Sequence, residues 1–566
     1  MQTYGGNDVV WAAQGNTTAY LGDGNDYFTA ANLGSLISNP GDMSVGSSIV
    51  YAGAGNDTMD IYDATAVLHG GAGNDTYILG GEDHAVTIIE DDNAQGGGID
   101  TVLIAMNSNA SHTMSAFVEN LAVTKIFTSA LVGVNWDDTN GTYEGAAGAG
   151  NGAYIAGNTL SNRIELSDRN DTVWAGDGND TVIAWSGDDK VYGQNGNDNL
   201  DGAGGADTVS GAAGNDVVKG GSGNDLVYGG NDRDTVRGDD GNDTLHGDAG
   251  NDLVQGGAGH DRLFGEIGND TRQGDYGSDT LQGGAGDDTY VLVDNDTIVE
   301  GAGAGIDTAR VAMTSYTIGA NVENLTFTTG AAGRFGVGNE LANGITGLAG
   351  NDTLKGMDGN DVLTGAGGND SLHAGSGNDW VYAGTGNDYV QGAAGNDFLY
   401  GNDKVYGNDG NDVVVGDAGN DEVQGGTGND TVSGGTGDDT VYGNDGNDMI
   451  YGSAGWDHLW GGAGVDYFSY TSIADSNAFG MDVIKDFEKG VDRINLSPMD
   501  ANSTVAGNQA FGFTGTGAMF GSAGDVWIKE DTEGSLTGTA IYGDLNADFV
   551  IFVEGLTGLT ASDFIL

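Results

Sequence analysis

An Asp returns every nine residues, without a break, at Asp171, Asp180, Asp189, Asp198, Asp207, Asp216, Asp225, Asp234, Asp243, Asp252, Asp261, Asp270, Asp279 and Asp288. A second series runs through Asp352, Asp361, Asp370, Asp379, Asp388 and Asp397 and then loses three residues. It resumes at Asp403 and keeps the spacing through Asp412, Asp421, Asp430, Asp439, Asp448, Asp457 and Asp466. A fixed short period means one small unit stacked on the next, and it decides the fold before local propensity does. The unit reads Gly-Gly-x-Gly-Asn-Asp-x-(Leu/Val)-x, as in Gly220-Gly221-Ser222-Gly223-Asn224-Asp225-Leu226-Val227-Tyr228. Two residues after each Asp stands an aliphatic residue, as at Val173, Val182, Val191, Leu200, Val209, Val218 and Val227. Arg272 breaks that rule and Leu281 restores it.

A three-residue strand with only its centre apolar buries one side chain per repeat. Six residues of Gly-rich turn then reverse the chain. Two nonapeptides make one coil, and successive coils stack their strands in parallel at about 4.8 Å. The expected fold class is all-β, a parallel β-solenoid. Composition agrees: 107 of the 566 residues are Gly and two are Pro, Pro40 and Pro498. Gly and Asp are poor helix formers, which excludes a mainly helical protein. Gly without a period of three, and with so little Pro, excludes collagen.

The turns carry the chemistry. Gly permits positive φ and leaves backbone carbonyls exposed, each Asp adds a carboxylate, and stacking brings turns of successive coils together. Rows of hard oxygen cages suit Ca²⁺, which takes six to eight oxygen ligands; Mg²⁺ resists losing its water and Zn²⁺ prefers His and Cys. Every Asp of the two series is therefore a candidate metal ligand. At these residues the sequence resembles the RTX family, whose nonapeptide is a Ca²⁺-binding repeat. The resemblance implies a parallel β-roll with calcium between adjacent turns. The match weakens at Arg272, at the deletion before Asp403 and at Asp232, where Gly is expected, so those coils are expected to be distorted or poor in metal.

A worn version of the pattern occupies residues 1–78. Asp8, Asp26, Asp57 and Asp75 hold the phase as further candidate ligands, Thr17 and Ala66 replace Asp, and an insertion runs from about Ala31 to Val50. Repeat arrays at 170–288 and 350–466 follow spacers at 79–169 and 289–349 that resemble each other: Ile99-Asp100-Thr101, Val118-Glu119-Asn120-Leu121 and Gly157-Asn158-Thr159-Leu160 in one match Ile306-Asp307-Thr308, Val322-Glu323-Asn324-Leu325 and Gly338-Asn339-Glu340-Leu341 in the other. The chain reads as a duplication, with spacers expected to form wider, metal-poor β-helical coils. In 467–566, Asp482-Val483-Ile484-Lys485-Asp486-Phe487, Asp492-Arg493-Ile494-Asn495-Leu496 and the ending Leu559-Thr560-Ala561-Ser562-Asp563-Phe564-Ile565-Leu566 resemble the C-terminal segment of serralysin-type proteases. That resemblance implies a β cap carrying an uncleaved type I secretion signal, and the type I apparatus as a partner.

Lys and Arg number 17 against 84 Asp plus Glu, a net charge of −67. A nucleic-acid partner needs a basic surface and is excluded as an expectation. Self-repulsion on this scale opposes compaction, and bound cations are the expected remedy. With 22 Tyr, 16 Phe and 8 Trp the chain is not a simple acidic tail. No Cys is present, no ordinary signal peptide is expected at the start, and no apolar run is long enough for a membrane span.

Enzyme motifs of related proteins are missing. No His is followed by Glu, as His-Glu-x-x-His requires, and no Ser centres a Gly-x-Ser-x-Gly. Neither Pro follows Asp, as the Asp-Pro-His of calcium-dependent alginate epimerases requires. The repeats begin at Gly5, so no catalytic domain of ordinary size is expected before them. The aromatics Trp174, Trp185, Tyr192, Tyr228, Trp380, Tyr382, Tyr406 and Tyr442 flank buried positions and are expected to face outward. The resulting expectation is a non-enzymatic, extracellular calcium-binding structural protein that self-assembles as a homo-oligomeric lattice or filament. An adhesin for cell-surface polysaccharide stands second, and an enzyme acting on extracellular polysaccharide third.

Overall fold

The computed structural model describes the chain apart from residues 1, 4, 13–16, 32–46, 63–64, 82–85, 90–100, 107–111, 114–119, 124–153, 158, 167, 331, 478–479, 500–510, 517–524, 534–535 and 544–548. Ile99, Asp100, Val118, Glu119 and Asn158 of the first spacer thus lie outside the described residues. The chain divides into two compact units, Met1–Gly305 and Ile306–Leu566.

In the first unit the parallel solenoid is set by an 18-residue register, the length of two nonapeptides. Strand Thr208–Ala213 pairs with Leu226–Asn231, placing Val209 beside Val227, and Leu226–Asn231 pairs with Thr244–Ala249, placing Val227 beside Leu245. The intervening repeats build the opposite sheet in the same way, with Val218 beside Val236 and Val236 beside Val254. The aliphatic residues of both sheets are fully buried in single file, which is why one apolar side chain per repeat suffices for a core. Many strands are six or seven residues long instead of three, because the first Gly residues of the turn continue the ladder, as where Gly230 pairs with Asp248.

Gly is obligatory at particular turn positions. Gly223 has φ of +144°, and a Cβ on it would collide with the Gly205 carbonyl of the preceding coil. Gly223→Ala is expected to destabilise the roll by more than about 1 kcal/mol. Exposed Ser222→Ala in the same turn should cost within about 0.5 kcal/mol. Paired thermal melts check both.

Three irregularities interrupt the repeat pattern in this unit. The coil at Asp232 is not distorted: Asp232 takes a Gly place at φ +76°, and the hydrogen bonds from Asp216 N–H to Asp234 and from Asp234 N–H to Asp252 continue through it. Register is also kept at Arg272, which pairs with Val254 below and Tyr290 above. Across the N-terminal insertion the ladder holds, with Asp26 N–H reaching Asp57 over 31 residues while its neighbours span 18.

The first spacer widens, with Thr76–Gly81 pairing to Thr101–Met106. Within the second unit the spacer does not: Thr308 pairs with Asn324 and Asn324 with Gly344, close to the 18-residue coil. Strand Asp388–Ala394 pairs directly with Asp403–Asp409, so the three-residue deletion shortens one turn without breaking either sheet. After Asp466 the parallel path continues through Tyr467–Ser469 to Arg493–Asn495 and the final Phe564–Ile565. On the other sheet Asp482–Ile484 leads to Phe549–Glu554, where the chain turns antiparallel through Leu536–Gly543 and Asp525–Glu533. Phe549 to Val553 are all buried, closing this edge of the core with a double-sided apolar strand. Asp563 is buried too, its carboxylate accepting from Gly490 N–H and Thr560 N–H.

Candidate metal centres: rows of buried carboxylates

Each buried repeat Asp ends a Gly-rich turn and points inward. One carboxylate oxygen, Oδ1, accepts the backbone N–H of the Asp one coil earlier: Asp207 N–H to Asp225 at 2.8 Å, Asp216 N–H to Asp234 at 2.7 Å, Asp361 N–H to Asp379 at 2.8 Å. The preceding Asn builds a second, outer ladder, with Asn215 N–H donating to the Asn197 side chain at 2.8 Å. Sequence reasoning missed this role of Asn; its signal was the constancy of Asn-Asp at one phase.

The other oxygen is left over. Oδ2 of Asp180, Asp189, Asp198, Asp207, Asp216, Asp225, Asp234, Asp243, Asp252 and Asp261 is buried with no hydrogen-bond partner. The same holds for Asp361, Asp370, Asp379, Asp388, Asp397, Asp412, Asp421, Asp430, Asp439, Asp448, Asp457 and Asp466. A buried, unsatisfied polar atom costs roughly 1–3 kcal/mol, and more when charged, so a row of them marks a missing partner.

The surroundings of these oxygens say what it is. At Gly202, a Cβ would lie 2.6 Å from Asp207 Oδ2 and 2.6 Å from the Gly220 carbonyl oxygen of the next coil. The same convergence of carboxylate and carbonyl recurs at Gly229 with Asp234 and Gly247, and at Gly392 with Asp397 and Gly407. Each first Gly therefore leaves open a small cradle walled by hard oxygens from two coils. Such donors fit Ca²⁺. Bound there, the ion would supply the positive charge that the Oδ2 atoms lack and link coil to coil. Burial also pushes these carboxyls up: Asp180 and Asp207 to about 7, Asp189 and Asp234 to about 8, each with neighbouring Asp adding to it, Asp466 to about 6 with Asp492 and Asp486 adding to it, and Asp430 to about 6 by burial alone.

The candidate ligands take up the following places. Asp26, Asp57 and Asp75 are buried in the same turn position, and Asp8 is half-buried at the start of its row. All fourteen from Asp171 to Asp288 are buried. So are those of the second array, except Asp403, which is half-buried in a strand at φ +76°. The deletion has removed the turn that would have aimed Asp403 like the others. Asp352 differs as well, since its Oδ2 accepts the Leu348 N–H.

The rows extend past the nonapeptides. Asp279 N–H donates to Asp296, Asp457 N–H to Asp482 and Asp466 N–H to Asp492, each at 3.1 Å. Asp279, Asp294 and Asp296 bring carboxylate oxygens within 4.8 Å of one another. None of Asp294, Asp296, Asp482 or Asp492 stands in the nine-residue phase. Asp296, Asp482 and Asp492 do keep an Ile two residues on (Ile298, Ile484, Ile494), the signal by which they could have been found.

Asp225→Asn separates the two roles of the side chain: it keeps an acceptor for the Asp207 N–H and loses the charge. It is expected to raise the calcium concentration for half-maximal folding several-fold. Asp225→Ala adds the loss of the hydrogen bond, about 1–3 kcal/mol. Circular dichroism during calcium titration checks both, and an unchanged midpoint for both would deny a cation at this turn.

A stacked parallel roll whose turns line up buried carboxylates and carbonyls defines a calcium-binding β-roll. The family model for the RTX calcium-binding nonapeptide repeat (4 copies) matches residues 2–32, 44–60, 67–83, 165–200, 201–236, 237–271, 273–292, 337–372, 346–381, 373–403, 400–432 and 433–468. These cover more than half of the chain, and the chain belongs to the RTX calcium-binding nonapeptide-repeat family. No curated protein matches it. Among solved structures it is similar to the solution structure of the AlgE6R3 subunit from the Azotobacter vinelandii mannuronan C5-epimerase. That similarity has 28% identity over 26% of this chain and 77% of that one, with a TM-score of 0.20, too low to bear on fold or function.

Proposed function

We propose that this is an exported structural protein that folds when it meets extracellular calcium and then assembles with its own copies as a surface layer, filament or matrix. The observation that carries the reading is the pairing of −67 net charge with rows of buried, cation-seeking carboxylates over more than half of the chain. Such a chain is expanded where calcium is scarce, a state suited to threading a type I secretion channel. Extracellular calcium modules bind with Kd on the order of 10⁻⁴–10⁻³ M, and binding that requires the fold drives folding. One ion per turn, less a few at the ends, gives about 24 ions, which offset most of the excess charge. No helix among the described residues is long and apolar enough to cross a membrane. The protein acts through its surface and not as an enzyme.

A polysaccharide adhesin is the second reading, and exposed aromatics favour it. Trp174, Trp185, Trp380 and Tyr382 face outward, with Trp380 over Phe398 at 4.7 Å and Tyr382 over Tyr400 at 5.5 Å between ring centres. Stacked rings cover one another's faces and leave mainly edges to solvent, so such a ladder suits strand packing as well as a sugar. Light scattering of calcium-free protein during calcium addition separates the two readings. Growth into large particles that EDTA disperses supports assembly. A particle that stays monomeric at millimolar calcium and binds polysaccharide saturably overturns assembly in favour of adhesion.

A further inference from the structure

Arg272 occupies the position that the other repeats from Asp171 to Asp279 give to an aliphatic residue, between Val254 and Tyr290 in the sheet, and it is fully buried. A lone guanidinium in a hydrophobic file is costly unless charges meet it. Here they do. Nη1 lies 3.4 Å from Asp270 Oδ2 and 3.3 Å from the Gly283 carbonyl oxygen. Nη2 lies 3.1 Å from Asp288 Oδ2, one coil further on, and the guanidinium carbon sits 4.7 Å from the centre of the Tyr290 ring.

The two oxygens on Nη1 are the pair that converges in each regular cradle, the Asp Oδ2 and the carbonyl of the next coil's Gly. In the ordinary turn at Gly256, a Cβ would meet Asp261 Oδ2 at 2.5 Å and the Gly274 carbonyl at 2.7 Å. In the turn at Gly265 it would meet Asp270 Oδ2 and the Gly283 carbonyl in the same way, and would also collide with Arg272 Nη1. The guanidinium thus fills, from inside the core, the space that other turns leave open.

We propose that Arg272 is a built-in cation that takes the place of one calcium ion at the Asp270–Asp288 step of the first array. The step carries one charge from the chain itself and is held without metal, while the turns before it wait for calcium. Arg suits the task because its charge is permanent and its guanidinium forms ion pairs with two carboxylates of successive coils at once. The coil from Arg262 to Tyr290 is then the part of the array already fastened when calcium arrives, a place from which stacking proceeds toward the N-terminal coils. The proposal rests on the assignment of calcium to the regular turns.

Arg272→Leu restores the aliphatic pattern and vacates the cradle. Native mass spectrometry of calcium-saturated protein is expected to count one more ion per chain in R272L than in the wild type. Hydrogen exchange in the wild type, in EDTA, is expected to be several-fold slower in 262–290 than in 208–236, a comparison that needs no variant to fold. Equal, non-zero ion counts with equal exchange in the two segments overturn the role of Arg272 and leave calcium in the regular turns intact. No bound calcium in either protein overturns both.

Discussion

In EDTA at neutral pH the chain will be expanded and poor in β structure, and millimolar calcium will contract its hydrodynamic radius by roughly a factor of two or more. The repeats bury one aliphatic side chain each, a thin core for so long a chain. Against that core stand the net charge of −67 and the buried Oδ2 atoms, each losing hydration without gaining a partner. Calcium reverses the sign of this balance: it neutralises the row, satisfies the leftover oxygen and ties successive coils together. Because each coil contacts mainly its neighbours, folding should be steep in calcium concentration once a few coils have formed. Size-exclusion chromatography with light scattering reads the contraction. A chain that elutes as compact in EDTA as in calcium would show that packing alone carries the fold.

The second large effect is acid-induced structure in the calcium-free chain. Burial raises the turn carboxyls above their ordinary 3.8, to about 6 for Asp57 and Asp421, about 7 for Asp243, Asp361 and Asp439 and about 8 for Asp189. Over the window between the unfolded and folded values, the folded state binds more protons than the unfolded one. Its stability is therefore fully present below about pH 4 and is lost as pH rises through about 6 to 8. Lowering the pH of metal-free protein from 8 to 5 should raise the far-ultraviolet β signal, before unfolded carboxyls titrate near 4. With calcium present the direction reverses, because protons compete with the ion for the same oxygens, and the folding midpoint moves to higher calcium as pH falls below about 7. No gain of structure in EDTA between pH 8 and 5 would mean that these carboxyls are not desolvated in the metal-free fold.

The nine-residue phase made the coil, its parallel stacking and the inward aliphatic file legible, because each follows from spacing alone. It also pointed to one carboxylate per turn. What it hid lies where phase is broken. Asp482 and Asp492 follow Asp457 and Asp466 by 25 and 26 residues, and yet they receive the same backbone N–H. Asp403 stands in phase with the residues after it and still misses its cradle, since a turn three residues short cannot aim it. Arg272 read as a flaw in the pattern, whereas the coil keeps its register there and the guanidinium pairs with two carboxylates. The antiparallel strands that finish the C-terminal unit carry no repeat at all, and resemblance, not spacing, suggested a cap there.

The most direct test counts calcium while the protein folds. Equilibrium dialysis across a calcium series, with elemental analysis and circular dichroism on the same samples, gives ions bound and β content together. The account predicts on the order of twenty ions per chain, taken up steeply and in step with the β signal. A β-roll already formed at neutral pH with no ion bound, or complete after only one or two, would contradict it.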